Sequence, residues 1–347
     1  ILYSIFYNFK VMEIIFKKIY NVLGDLMRRF LSFNDFFREY FSGKSVKLSL
    51  DAGFSCPNRD GRLSNIGCIF CSDEGSGEFA GSKNLSISEQ IESQKIFLEK
   101  KWKAKNYISY FQNFTNTYGS LQSLKNIYDE VTSRDDIVGI SIATRCDCLD
   151  DEKIDYLREI SRKKTLWLEL GMQSVNENTI KLINRGYTHE IFDETVKKLK
   201  DANILFLIHA IFGLPFEDQN DFKNTIKYIR EVAPFGVKFH NLYILKGSPI
   251  YELYKNKKFR LLSREEYTQT ILYALENINE KTVVHRITGD PPKKNLFEPK
   301  WCADKLSVIS EIDKRLKELD KDILKDEQIK NISTYWKEID LAFSHKT

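Results

Sequence analysis

Cys56, Cys68 and Cys71 stand in a C-x11-C-x2-C run inside DAGFSCPNRDGRLSNIGCIFCSDEGSGEF (51–79), a loop otherwise rich in Gly, Asn, Ser, Arg and Asp. Three thiolates can hold a metal, yet no fourth cysteine lies close enough in sequence to close a four-thiolate shell. A structural zinc would need its fourth ligand from far along the chain, and Cys146, Cys148, His209 and His240 are the candidates. A four-iron cluster on three cysteines leaves one iron open, and that iron is a binding site. Buried thiols without metal are the third reading.

Composition sets the frame around this loop. The 347 residues suffice for two domains or one large α/β barrel. With 53 Lys+Arg against 49 Asp+Glu the net charge is +4, too balanced to mark a nucleic-acid binder by itself, though a local basic face is compatible with it. The six cysteines, at 56, 68, 71, 146, 148 and 302, do not form the even framework of a secreted disulfide domain, so a reducing, cytoplasmic setting is expected. The uncharged N-terminal run ends at Phe9 before Lys10, Glu13, Lys17 and Lys18, too short for a membrane span. It also lacks the charge order and cleavage site of a signal peptide. Some of the 26 residues before Met27 are expected to be upstream extension and not part of the fold, with an amphipathic helix packed on the barrel as the alternative.

Parallel βα units are needed to position such a loop. Apolar runs at 46–51, 107–112, 137–143, 165–170, 204–212 and 237–244 read as six strands. Helical patterns lie between them, with Ser88, Ser120, Asp150 and Asp218 as expected N-caps. Because crossovers between parallel strands are right-handed, six such units give a partial barrel whose chemistry belongs at the strand C-termini. The cysteine loop, NFTNTYG, TRCDC, GMQS, GLPFED and LKGSP each follow a strand and so share one mouth.

The approach DAGFSCPNRDG and the finish GCIFC, followed in order by LELGMQSVNENTIKLINRGYTHE, HAIFGLPFED and VKFHNLYILKGSP, resemble the radical S-adenosylmethionine superfamily. The branch is the one shared with the Elongator catalytic subunit, and within it the YhcC/YtqA-type proteins. The resemblance runs from about Phe36 to about Trp301; the long first gap between cysteines is similar to that branch, where most of the superfamily has C-x3-C-x2-C. It implies an α/β fold, a partial (βα)6 TIM-type barrel over 41–260, with a helical extension over 1–40 and a mostly helical α/β extension over 261–347.

The same resemblance implies a [4Fe-4S] cluster on Cys56, Cys68 and Cys71, whose open iron binds the methionine end of S-adenosylmethionine. Phe70 would shield the cluster and lie against the adenine. Glu169 would accept from ribose hydroxyls, with a salt bridge to a basic neighbour as the alternative. Arg185 would pair with the cofactor carboxylate, which its planar fork suits. Gly213 and Pro215 would bring backbone to the adenine edge, although Phe216 before Glu217 replaces the family's Gly there. The glycine-rich motif that receives the cofactor's amino group is replaced by FQNFTNTYG, where Gln112, Asn113, Thr115 and Asn116 offer acceptors. Cys148, His209, His240 and Tyr243 are expected near substrate.

Elongator-type relatives imply a wobble uridine of tRNA as substrate. No acetyltransferase segment is expected here, so the implied step is a different one, remodelling a carboxymethylaminomethyl side chain toward aminomethyl. An electron donor such as flavodoxin or ferredoxin and a downstream methyltransferase would be partners. His285, Arg286, Lys293, Lys294, Lys300 and Trp301 could form a basic, aromatic RNA surface, or the segment could be a solvated cap. A non-RNA substrate and a non-catalytic metal-binding RNA module are the competing classes; the latter gives Glu169, Arg185 and Gly213 no purpose.

Overall fold

The computed structural model describes residues 29–72, 75, 80–99, 102–256, 258–319 and 324–341. The first 26 residues, and with them the expectation about their packing, lie outside the described residues. All six expected strands form: β1 Ser45–Leu50, β2 Asn106–Phe111, β3 Ile137–Thr144, β4 Thr165–Gln173, β5 Leu205–Phe212 and β6 Gly236–Asn241. Ile244–Leu245 splits off as β7, and β4 runs three residues beyond the expected Leu170. Helices α1 Phe33–Tyr40, α2 Ile87–Glu99, α3 Leu121–Thr132, α4 Asp151–Ser161, α5 Glu177–Leu182, α6 His189–Asp201 and α7 Gln219–Val232 precede or join them. In the barrel sheet the expected strand number is short by one. After α8 Pro249–Lys255 and α9 Arg264–Asn277, strand β8 Val283–Arg286 adds to β6, giving seven strands in the order β1-β2-β3-β4-β5-β6-β8, every pair parallel. The sheet curls into a half-barrel of the TIM type.

Local chemistry starts the helices. Ser120 accepts from Ser123 N at 3.1 Å, Asp150 from Lys153 N at 2.9 Å, and Asp218 forms a capping box with Asp221, each satisfying an otherwise orphaned helix-start N–H. Ser88 does not cap α2. That helix opens at Ile87, where Ser86 and Glu89 bond reciprocally, and Ser88 Oγ donates instead to Glu130 at 2.6 Å. Both Ser86 and Ser88 stand ahead of an acidic residue, and the reciprocal pair three apart is the stronger start signal.

Alternation along each strand sorts side chains between the helix layer and the barrel interior. Near the strand starts the interior is an aromatic plug: Trp167 and Phe235 pack with Phe36 and Phe37 of α1, and Ile108, Leu207 and Val283 complete it. After α10 Lys305–Glu318, the last helix among the described residues, α11 Asp326–Leu341, seals this end with Ile329, Ile332 and Trp336, while Tyr40 Oη donates to Asp340 at 2.6 Å. One layer further along the strands, Lys47, Tyr110, Ser141, Glu169, His209 and Lys238 converge. Above that polar layer the strand ends and their loops open onto a cavity of about 550 Å³. A sealed apolar end and an open polar end fix where a ligand enters.

Candidate active site

Cys56, Cys68 and Cys71 all line that cavity, delivered by the loop after β1. Two neighbours in the loop fold it. Asn58, fully buried, donates from Nδ2 to the carbonyls of Asn184 at 2.6 Å and Arg185 at 3.2 Å and lies 3.6 Å from Cys68 Sγ. Arg59 donates to the carbonyls of Cys71, at 3.3 Å, and Ser72. Gly186 (φ 86°) is required beside Asn58, since a Cβ there would meet Asn58 Oδ1 at 2.6 Å. Burial, then the proximity of Cys71, pushes the Cys68 thiol up to about 12, so a metal must displace its proton on binding.

Arg185 is buried and follows the short helix α5. Its Nη1 donates to Met172 O at 2.7 Å and its Nε to Tyr187 O at 3.1 Å, and the guanidinium lies 4.3 Å from the Tyr187 ring centre. Nη2 has no partner although it is buried. Gln173, which sequence reasoning missed, ends β4 with φ 61° beside a register break, lines the cavity and leaves Oε1 buried without a partner. A left-handed non-glycine residue at a strand end over a cavity is strained backbone of the kind functional sites retain. Its signal was present in GMQS, a polar pair directly after an apolar strand.

The loop after β2 divides its four candidates. Gln112 and Thr115 line the cavity, and Thr115 Oγ1 is buried without a partner. Asn113 and Asn116 do not line it. Asn113 Nδ2 holds Asp51 at 2.9 Å, and Asn116 Nδ2 donates to the carbonyls of Phe111, Asn113 and Ala143, so these side chains brace the loop itself. Phe70, His209, His240 and Tyr243 line the cavity. Cys148 does not: it sits buried in the turn Cys146–Cys148, and burial pushes its thiol up to about 12. Gly213 (φ 87°) faces Leu262, whose side chain lies 3.0 Å from where a Cβ would stand, so its freedom serves a packed turn.

Glu169 stands in mid-strand and not at a strand end. Its Oε1 accepts from Lys47 at 2.8 Å and Ser141 at 2.7 Å, its Oε2 from Lys238 and from His209 Nε2 at 2.9 Å. Four donors fill a fully buried carboxylate, which leaves it no capacity for ribose hydroxyls; the salt-bridge alternative describes it. Burial raises the Glu169 carboxyl, but Lys238, Lys47 and His209 outweigh burial and hold it well below the usual range. Burial pushes both lysines down, Lys238 the further, and lowers His209 to about 4, so that ring is neutral and donates from Nε2. His285 and Arg286, expected on an outer RNA face, line this same cavity from β8. Trp301 is likewise packed: its indole donates to Leu262 O at 3.2 Å and its ring lies 5.5 Å from Tyr267.

Glu217 links two mouth loops by accepting from Ser174. Burial raises its carboxyl to about 7 from an ordinary 4.5. The folded state therefore binds the extra proton between those values, and stability falls as pH rises from about 4.5 to 7. Glu217→Gln should flatten that fall and stabilise the protein above pH 7 by about 2–3 kcal/mol, readable in urea unfolding at pH 5 and pH 8.

The residues present fit a three-cysteine cluster with its nucleoside ligand. Three thiols share one wall, the buried Arg185 Nη2 lacks an acceptor, and Gln173 Oε1 and Thr115 Oγ1 lack partners. Among the described residues no three His, Cys, Asp or Glu stand close enough together to hold a single metal ion, whereas a four-iron cluster spreads its ligands over separate irons.

Comparison with known proteins agrees. The Radical SAM superfamily pattern matches residues 60–229 and the Radical_SAM C-terminal domain residues 234–318. The chain is 42% identical to the uncharacterised protein YtqA of Bacillus subtilis over 83% of its length and 90% of that protein's. It is 32% identical to protein YhcC of Escherichia coli over 87% and 94%. A tRNA uridine(34) acetyltransferase of Methanocaldococcus infernus is 26% identical over 50% of this chain and 32% of that protein. The structure of M. infernus Elp3 superposes with a TM-score of 0.62 at 17% identity, over 80% of this chain and 64% of that one. The chain belongs to the radical SAM superfamily, whose members bind a [4Fe-4S] cluster and S-adenosylmethionine.

Proposed function

We propose that this radical SAM enzyme modifies a wobble uridine of tRNA, remodelling a carboxymethylaminomethyl side chain toward aminomethyl. The observation that carries the reading is a sealed-bottom cavity with three cysteines at its mouth, in a chain similar to a protein named for acting on tRNA uridine 34. Lys293, Lys294 and Lys300 are exposed on the segment after Asp290, which itself lines the cavity, and exposed lysines of this kind suit contact with phosphates.

When bound, the cluster and S-adenosylmethionine supply reductive C5′–S cleavage and hydrogen abstraction from substrate. The chain's residues do the positioning. Cys56, Cys68 and Cys71 would hold the cluster, and Phe70, packed against Ile183, Leu214 and Ile250, would wall it from water. Arg185 would offer Nη2 to the cofactor carboxylate, and of the four loop candidates Thr115 and Gln112 stand where an amino group could be received. Gln173 would accept from the ribose in place of Glu169. His209, His240 and Tyr243 then face the substrate side chain. A flavodoxin- or ferredoxin-type donor would provide the electron, and a methyltransferase would consume the aminomethyl product.

Deleting the gene in its host and digesting total tRNA to nucleosides should show carboxymethylaminomethyluridine accumulating and aminomethyl derivatives disappearing. An unchanged profile overturns the assignment. In vitro, Lys293→Ala with Lys294→Ala should flatten the slope of log K against log salt for tRNA binding by about 1–2 units.

A further inference from the structure

Positive charge collects at the closed end of the cavity with too little negative charge to meet it. Lys47, Lys238 and Arg286 all line it there, and Glu169 is the carboxylate that the two lysines share. The Arg286 side chain makes no hydrogen bond or ion pair with any described residue, yet it lies close enough to Lys47, Lys238 and His240 to disfavour their protonation. A guanidinium cannot shed its proton to relieve such crowding. His240 and His285 are neutral through burial and bring no compensating charge; His240 Nε2 is itself buried without a partner. Asp290, the other carboxylate on the lining, is engaged by Lys305 at 2.7 Å. Nearer the cysteines, Arg145 pairs with Asp147 at 2.7 Å and Arg59 bonds to carbonyls, while Arg185 bonds to carbonyls through Nη1 and Nε and leaves Nη2 for the cofactor.

We propose that Arg286, with Lys47, Lys238 and His240, forms an oxyanion subsite on the cavity floor that receives the carboxylate of the substrate side chain. The identification of that carboxylate rests on the uridine reading; the subsite itself rests on the unpaired Arg286. Trp167 and His285 close the floor beneath it, so a slender side chain would enter anion first and leave its carbons at the level of the strand ends, under the cysteine loop. A charged fork meeting a carboxylate in a desolvated cavity is worth far more than the same pair in water.

The test uses cluster-loaded protein with S-adenosylmethionine and reads binding by calorimetry, with 5-carboxymethylaminomethyluridine and its methyl ester as probes. The free acid should bind wild type at least about tenfold more tightly than the ester, and Arg286→Met should weaken the acid about 10–100-fold while leaving the ester unchanged. Arg286→Lys should recover part of the loss. Acetate and inorganic phosphate, scanned on wild type and Arg286→Met, should raise the unfolding midpoint of wild type alone. Equal binding of acid and ester, or full affinity in Arg286→Met, overturns the subsite and leaves the uridine reading standing. Anion stabilisation lost in Arg286→Met, with no binding of the nucleoside, supports the subsite and removes the uridine reading; phosphate acting more strongly than acetate would then point to a phosphorylated substrate. Wild type that responds to neither nucleoside nor anion overturns the subsite outright.

Discussion

Replacing any one of Cys56, Cys68 and Cys71 by Ala should remove the iron from anaerobically reconstituted protein, which in wild type should hold about four irons per chain with thiolate-to-iron absorption in the visible. A three-cysteine cluster has no spare ligand, and the nearby sulfurs are not substitutes. Cys146 and Cys148 are buried in their own turn, and burial holds both thiols at about 12. Cys302 lies against Pro299 O at 2.9 Å, in a turn that does not line the cavity. Cys302→Ala should therefore keep its iron and its colour. Iron analysis of the four variants beside wild type decides the matter, and retention of four irons in any of the first three would remove that residue from the ligand set.

Glu169→Ala should be the most damaging substitution for stability. It strips the shared counter-charge from Lys47 and Lys238 in a desolvated layer and orphans His209 Nε2 and Ser141 Oγ at the same time. Breaking a buried ion pair from one side costs about 3–5 kcal/mol, because the remaining charge stays buried unpaired. The loss should appear as a lower urea midpoint at unchanged slope. Glu169→Gln, which keeps the shape and two hydrogen-bonding groups, should lose less. The intact carboxylate's contribution is present above its unfolded pKa and is lost as pH falls toward its depressed folded value, so wild type and variant should converge in stability in acid. A variant as stable as wild type at pH 7 would mean the lysines shed their protons at little cost.

The order of elements was legible because β-rich runs alternating with capped helical patterns admit few topologies. Strand β8 was not: Val283–Arg286 is four residues long and ends in His-Arg, which in sequence is indistinguishable from a basic surface turn. That one strand moved His285 and Arg286 from an imagined RNA face to the cavity. Cys56, Cys68 and Cys71 stood out in sequence by their spacing, which left zinc, an iron–sulfur cluster and metal-free thiols open, and the resemblance implied the cluster. Glu169 was misjudged because the apolar run ends where the sheet continues through Gly171 and a register break to Gln173, shifting the polar strand end by four residues. Asn58 could have been suspected from its place in CPNRDG, but its bonds to residues 184 and 185 are tertiary and leave no periodic trace.

Radical S-adenosylmethionine chemistry in the cavity under the cysteine loop can be read from its products. Its most direct test is an anaerobic assay in which cluster-loaded wild type and Cys71→Ala are reduced with dithionite beside S-adenosylmethionine and the products are separated. Wild type should form 5′-deoxyadenosine and methionine in equal amounts, slowly without substrate and faster with carboxymethylaminomethyl-bearing tRNA, and Cys71→Ala should form neither. A wild-type protein that holds four irons and leaves S-adenosylmethionine uncleaved, with and without that tRNA, would contradict the account.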